Sequence, residues 1–370
     1  MSELVLREGY TTGACAAAAA KAAVLAAQGQ IVTVTSVLSP QGQSIIVPVF
    51  SAAAMPSGGC ACVIKDGGDD PDITHGAKIY VTVDFTADPA VVLRAGAGVG
   101  VVTKPGLSVA VGQPAINPGP QLMIKQALAA VLPAGQGAIV TITVPDGIAL
   151  AKKTLNPILG IEGGISIIGT TGIVKPMSEE AFKNSLTPQI SVVKALGYED
   201  IVFVPGRIGQ DVAIERLNLN PEIVVQTSNF IGHMLENAAA KGLKRVLFIG
   251  HLGKIVKVAA GIFHTHNRIA DARLETLAAY AALCGASQDT VKEILACTTT
   301  EAAMLIIAAC HLQQVYLVLA RRASLRAQRY VFGELTVGTV IVTLKGEILA
   351  ADETARDIGG SLGWNTKLLS

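Results

Sequence analysis

The chain is short of charge. Acidic and basic residues together make up 15% of its 370 positions, and the formal net charge is +1. Without a field of one sign, neither nucleic acid nor an acidic membrane surface is an expected partner, and any anionic ligand must be held by local groups. Long unbroken apolar runs are lacking too. The mean hydropathy is +0.50, yet the most apolar long stretch, residues 301–320, is interrupted by His311, Gln313 and Gln314, the pattern of a buried helix rather than a membrane span. The Ala-rich stretch 14–27 carries Lys21 in its middle and follows no basic cluster, unlike the core of a signal peptide. A cytoplasmic location is expected. The six cysteines, at 15, 60, 62, 284, 297 and 310, form no CxxC pair, which argues against structural zinc and a disulfide framework. Cys60 and Cys62, two apart on one strand face, read as small buried side chains.

What is present is apolar material: hydrophobic residues make up 51% of the chain, enough for more than one core, so two domains are the natural prior. The first, residues 1–150, opens with Thr11 or Thr12 capping an Ala-rich helix to about 27. Runs rich in β-branched residues at 31–38, 44–49, 60–64, 78–85 and 138–144 predict strands, and helical periodicity returns at 120–131. That mixture predicts an α+β domain. From 151 to 370 the rhythm becomes apolar strand, small-residue turn, helix, the mark of parallel βαβ units. Strands at 165–168, 201–204, 223–226 and 245–249 alternate with helices near 178–196, 230–241 and 253–263. Helical stretches at 271–283, 288–296 and 300–327 and a closing hairpin at 339–350 follow. An α/β Rossmann-like domain with an open, mostly parallel sheet is the expected fold of this half.

Few motifs carry chemistry by themselves. Gly96-x-Gly98-x-Gly100 resembles a nucleotide-binding turn, but Val101-Val102-Thr103 continues as strand and Pro105-Gly106 stops any helix, so a loop shaping a pocket is the better reading. Gly253-Lys254 fails as a P-loop because Phe248 replaces the first glycine and Ile255 the serine or threonine, which also weakens a kinase reading. Asp66, Asp69, Asp70 and Asp72 crowd one loop, but twelve positions from Asp66 end on Ala77 rather than a glutamate, so the EF-hand template fails; turn capping and substrate ordering stand level. His264, His266 and Asp271 contain no helical histidine pair, and no metal site is expected. Neither a Ser-His-Asp ordering nor paired glutamates argue for hydrolysis.

Loops after strands are better candidates. Gly169-Thr170-Thr171-Gly172 and the segments around Gly206, Ser228 and Gly250 are expected to converge on one rim beyond the carboxyl ends of the second domain's strands, where open α/β sheets bind ligands. Lys104 and Asn117 stand among rigid turns in the first domain, and the helix start after Thr12 offers N–H groups to an anion.

These segments, taken in order, resemble a known family. Arg7-x-Gly9-Tyr10-Thr11-Thr12-Gly13-x-Cys15, Lys65-Asp66-x-Gly68-Asp69-Asp70-Pro71-Asp72, and Gly98-Val99-Gly100-Val101-Val102-Thr103-Lys104-Pro105-Gly106-Leu107 come first. Ala115-Ile116-Asn117-Pro118, Gly169-Thr170-Thr171-Gly172-Ile173-Val174-x-Pro176-Met177-Ser178, and Gly250-His251-x-Gly253-Lys254 with His266, Asp271, Arg273 and Glu275 complete the set. The chain resembles the CbiD cobalt-precorrin-5B C1-methyltransferases over nearly its whole length. That resemblance implies an enzyme of cobalamin (vitamin B12) synthesis by the anaerobic route. It implies S-adenosylmethionine as methyl donor and cobalt only as part of the tetrapyrrole substrate, cobalt-precorrin-5B, which is converted to cobalt-precorrin-6A. A non-catalytic carrier of the tetrapyrrole is the alternative, and channelling to neighbouring pathway enzymes is a further expectation. For the donor, the expected contacts are Gly169, Thr170, Thr171, Gly172, Gly206, Ser228 and Gly250. For the acceptor's carboxylates they are Thr11, Thr12, Lys104, Asn117, Lys175, Arg207, Lys254, His266 and Arg273. His251 and Asp271 are the candidate catalytic groups.

Overall fold

The computed structural model describes residues 6–365 and divides the chain into two compact units, Met1–Glu180 and Ala181–Ser370. The boundary lies thirty residues beyond the expected one at 150. Segment 151–180 belongs to the first unit because its short strands pair there. Gly164-Ile165 runs parallel to Gly98-Val99, Ile161-Glu162 antiparallel to Val101-Val102, and Ile173-Val174 antiparallel to Gly9-Tyr10. An apolar run signals a strand but not its partner, so the 165–168 segment was legible as β and misplaced by unit.

The first unit is built around its first helix, Thr12–Ala27. Thr11 caps it, its Oγ1 accepting from the Ala14 N–H at 3.2 Å, and Gly29, at φ +84°, follows its end. The helix has almost no polar face because little of it meets solvent; its lysine, Lys21, is half-buried and donates to the Ser36 carbonyl at 2.8 Å. Strands Gly58–Ile64 and Lys78–Thr86 and helix Pro118–Ala129 pack around it, and every residue from Ala14 to Ala20 is fully buried. Alanine is the side chain that lets backbones close in. A Cβ on Gly59 would stand 2.0 Å from the Ala23 carbonyl oxygen, so the helix rests on strand backbone. The supporting sheet has five strands in the order Ser51–Met55, Gly58–Ile64, Lys78–Thr86, Gly137–Thr143, Val91–Ala95. All neighbours are antiparallel except the last pair. Ile79, Val81 and Val83 alternate inward and are fully buried, as a sheet with one covered face requires. A separate hairpin, Val34–Leu38 with Ser44–Pro48, completes the strands.

The second unit carries a five-stranded sheet ordered Val224–Gln226, Asp200–Val204, Arg245–His251, Thr336–Val342, Ile348–Ala351. The first four strands are parallel and the last is antiparallel. Ile201 to Val204 and Val246 to Ile249 are almost completely buried, the continuous apolar run expected where helices cover both faces. Asp200 and Arg245 face each other across neighbouring strands as an ion pair. The expected helix 178–196 is two, Glu179–Leu186 and Pro188–Ala195, because Pro188 cannot donate within a helix. Likewise 300–327 is Thr300–Ala309 followed by Gln314–Tyr330. The chain leaves Asp200–Val204 toward one neighbour and returns at Arg245–His251 on the other side. The order therefore reverses between these two strands, the position beyond whose carboxyl ends open α/β sheets bind ligands. Among the described residues no helix is long and apolar enough to cross a membrane.

Candidate functional site

In the first unit the residues expected to meet ligand are largely occupied by the fold. Thr11 and Thr12 are buried. Besides Thr11's cap, Thr12 Oγ1 donates to the Ile168 carbonyl at 3.2 Å and accepts from the Ile168 N–H at 2.8 Å. The Gly13 N–H reaches the same carbonyl at 2.9 Å. The helix start therefore presents no open anion site; loop 166–172 fills it. Gly169, at φ +136°, packs on the Thr11 side chain, where a Cβ would lie 2.2 Å from Oγ1. Gly172 packs toward Ile45 and Met123. Thr170 and Thr171 are exposed, and Thr171 Oγ1 donates to the Ile173 carbonyl at 3.0 Å. The strand before this loop pairs within the first unit, so the loop does not follow a strand of the second unit's sheet as the expected grouping with Gly206, Ser228 and Gly250 requires.

The aspartate loop is a latch. Asp66 pairs with the Arg7 guanidinium, Asp69 accepts from the Arg7 N–H at 2.7 Å, and Asp70 accepts from the Met177 N–H at 2.9 Å. Asp72 binds the Lys65 ammonium, which is only 1% exposed. Burial pushes the Asp72 carboxyl up, but the hydrogen bonds from Lys65 and Thr74 outweigh it and hold the group below the usual carboxylate range. Capping thus accounts for this cluster, and among the described residues no group of histidine, cysteine and carboxylate side chains is disposed to hold a metal ion. Gly98, Gly147 and Gly164 pack backbone on backbone, with added Cβ atoms falling about 2 Å from carbonyl oxygens (1.8, 1.9 and 2.0 Å). The glycine run is a crossing of chain segments. Lys104 lies against Gly160, Asn117 begins helix Pro118–Ala129 without a side-chain cap, and Lys175 is exposed.

The second unit gathers chemistry at the reversal point. Gly206 follows Asp200–Val204, with no atom within 4 Å of where a Cβ would stand. Arg207 is 90% exposed. Next to them a helix runs Arg207–Asp211 and continues as one π-helical turn, Val212–Arg216, a rare geometry frequent at functional sites. Between this helix and strand-end Gln226 lies an open cleft of about 400 Å³ lined by Arg207, Gln210, Asp211, Ile214, Glu215 and Gln226. Ser228 adopts φ +51° beside Thr227, whose fully buried hydroxyl has no hydrogen-bond partner.

His251 ends the central strand and caps helix Leu252–Ala260, its Nδ1 accepting from the Gly253 N–H at 3.1 Å. The ring proton therefore sits on Nε2, which approaches Glu301 Oε1 to 2.7 Å. The carboxylate lies off the N–H axis, so the ring's N–H dipole faces it closely without a linear hydrogen bond. Burial lowers the His251 pKa, with Glu301 pulling the other way and Arg273 and Lys254 reinforcing the decrease. The ring is neutral at neutral pH. Lys254 turns inward to the Pro205 carbonyl at 2.7 Å, tying the two loops at the reversal point together. Arg273 holds Asp271 through two hydrogen bonds, 2.7 and 2.8 Å. Lys257, 1% exposed, donates to Thr265 O, Asn267 Oδ1 and Ala270 O at 2.6–3.1 Å, fastening loop 264–271 to its helix. His266 stands exposed on that loop, and His264 stacks on Phe230 with centroids 4.9 Å apart. Glu301 was missed by sequence reasoning: it opens an apolar helix fifty residues after His251, and no local pattern links the two.

A mixed α/β protein of two units, one of them an open sheet with a polar constellation at its strand reversal, is the class this geometry defines. Family comparison narrows it. The CbiD family model matches residues 2–176 and the model for the CbiD C-terminal domain matches residues 264–353. A Moorella thermoacetica protein named cobalt-precorrin-5B C(1)-methyltransferase is 52% identical over 97% of this chain and 99% of its own. A Methanocaldococcus jannaschii protein of the same name is 42% identical over 97% of each. The chain belongs to the CbiD family. The crystal structure of a cobalamin biosynthesis protein (cbiD) from Archaeoglobus fulgidus is 29% identical, spanning 73% of this chain and 84% of that one at a TM-score of 0.40, a superposition too poor to bear on the fold.

Proposed function

We propose that the chain methylates carbon 1 of cobalt-precorrin-5B, with S-adenosylmethionine as donor, giving cobalt-precorrin-6A in cobalamin synthesis. The observation that carries this is the end-to-end match, 52% identical over 97% of the chain, to a relative of that name. The second unit is read as a Rossmann-like domain on its strand order and four parallel strands, with Gly206, Ser228 and Gly250 at its ligand-facing end.

Charge sorts the two ligands. The donor carries a sulfonium and an ammonium against one carboxylate; the acceptor carries many carboxylates around a flat ring. The cleft beside Gly206 holds Asp211 and Glu215 with Arg207, Gln210 and Gln226, a balance that suits the cationic donor and repels a polycarboxylate. Arg207, expected from the sequence to meet the acceptor, is better used on the donor's carboxylate. Gln226 stands twenty residues past Gly206, where dinucleotide folds place a ribose-binding carboxylate; an amide there makes a weaker hydroxyl acceptor. When bound, the donor supplies an electrophilic methyl group. The protein's part is orientation, worth on the order of 7–11 kcal/mol when the reacting atoms are held in line, and exclusion of water by the loops that Lys254 and Lys257 fasten. For the acceptor, His266 and Arg273 are the proposed groups in the second unit. Lys254 serves by tying loops rather than by facing ligand.

Calorimetric titration with S-adenosylmethionine tests the placement. The wild type should bind, and Arg207→Glu should weaken binding at least tenfold. Unchanged affinity in the variant would move the donor elsewhere, and no binding by the wild type would favour the tetrapyrrole carrier.

A further inference from the structure

Methylation of a conjugated ring carbon leaves a charge to dispose of. A ring π pair forms the new carbon–carbon bond while the carbon–sulfur pair stays with sulfur, so the donor's positive charge passes to the ring. Neutrality returns when a ring C–H or N–H bond releases its proton and its electron pair re-enters the π system. Some group must accept that proton.

Beside His251, at the carboxyl end of strand Arg245–His251, Glu301 has the required disposition. It sits in the first turn of helix Thr300–Ala309, behind its cap Thr299, with the side chain 40% exposed. One carboxylate oxygen is held from behind by His251 Nε2 at 2.7 Å, and the Thr300 hydroxyl lies 3.3 Å from both oxygens. His251 is itself fixed: its Nδ1 is engaged by the Gly253 N–H and its ring is 18% exposed. The ring's Nδ1 is spent on the helix and its buried Nε2 faces Glu301, whereas the half-exposed carboxylate can meet a ligand. The charged groups facing this pair are Arg273 on helix Arg273–Leu283 and Lys254 on helix Leu252–Ala260, with Asp271 and Lys257 behind Arg273. Arg273 is already paired with Asp271 and Lys254 with a carbonyl, so neither cation neutralises Glu301 outright.

We propose that Glu301 is the catalytic base of the methyl transfer, taking the proton the ring releases, and that His251 is its positioning residue. This rests on the reading that the carboxyl end of the second unit's sheet is the reaction site. Aspartate 271, the other candidate, is excluded from the role by its bidentate grip on Arg273, which holds its carboxyl below the usual range. His251 acts through Glu301: its N–H orients the carboxylate, and its burial-lowered pKa keeps it from competing as a cation at working pH.

Four variants and three readouts, donor affinity, turnover across pH and the ¹⁵N spectrum, test the pair in the full-length protein. For Glu301→Gln, isothermal titration with S-adenosylmethionine should give an affinity within about twofold of wild type, while turnover of cobalt-precorrin-5B falls about 10²–10⁴-fold and the acid limb of the pH–rate profile disappears. Glu301→Asp should keep the acid limb at reduced rate. His251→Asn, which can still cap the helix, should retain the limb but shift it; His251→Gln should do the same with a weaker cap. Independently of activity, the ¹⁵N spectrum of His251 in the free protein should show the Nε2–H tautomer, and Glu301→Gln should lower its titration midpoint further. A Glu301→Gln profile superimposable on wild type, or a His251 midpoint indifferent to that change, overturns the proposal. Donor affinity lost in Arg207→Glu but kept in Glu301→Gln leaves the donor placement standing whichever way the base assignment falls.

Discussion

Lys257 is a cation placed where water cannot reach it, and three acceptors from one loop make that tenable. Replacing it by methionine keeps the stem's packing but leaves those acceptors short of a donor, each at a cost of roughly 1–3 kcal/mol if it stays dry. Lys257→Met is therefore expected to lower stability by about 3 kcal/mol and to speed amide exchange selectively across residues 264–271; uniform exchange would deny the loop its fastening. Asp352 shows the opposite electrostatics. It is buried, caps helix Glu353–Ser361 through the Ala355 N–H at 2.7 Å and accepts from Ser324. Burial raises its pKa above 3.8 despite these bonds. The folded state thus holds this proton more tightly than the unfolded state, and its stabilising effect, full below the ordinary carboxylate range, is lost as pH rises through the raised folded value. Urea midpoints should show wild type losing ground to Asp352→Asn with rising pH across that window; a constant difference would mean the group does not titrate as its burial implies. At this scale the candidate site was half legible. His251 stood out as a histidine at a strand end, but Thr11 and Thr12, read as ligand contacts, are buried, with Thr12 bonded to a loop 156 residues further along the chain, and Glu301 carried no signal at all.

Elements were more readable where pattern and environment agree. The first helix came out almost to its ends because Thr11 and Gly29 are its physical stops. Strand Ser51–Met55 escaped notice since Ser-Ala-Ala-Ala-Met has no β-branched residue, and strand formation there depends on its neighbour Gly58–Ile64 rather than on propensity. The same reliance on neighbours makes the helix–sheet contact vulnerable. Gly59→Ala puts a methyl carbon 2.0 Å from the Ala23 carbonyl oxygen, and since both partners are backbone neither can swing away. The expected outcome is a loss of stability at the upper end of overpacking effects, about 3 kcal/mol, seen as a lower denaturant midpoint. A wild-type midpoint would show that the helix can lift from the strand without cost.

For the whole molecule, the two-unit division and the mixed α/β character were foreseeable from composition and rhythm, whereas the boundary was not. Residues 165–168 read like the opening strand of the second unit, but the short strands of segment 161–174 pair with residues 9–10 and 98–102, and pairing over such separations leaves no local trace. Function followed the opposite route: no spacing of side chains spelled out methyl transfer, and six ordered segments resembling one family did. Incubating the protein with cobalt-precorrin-5B and S-adenosylmethionine carrying a ¹³C-labelled methyl group, then locating the label by NMR, tests the central claim most directly. A single labelled methyl on carbon 1 is the predicted result. Label on any other carbon, or none in a protein shown to bind both compounds, would contradict it.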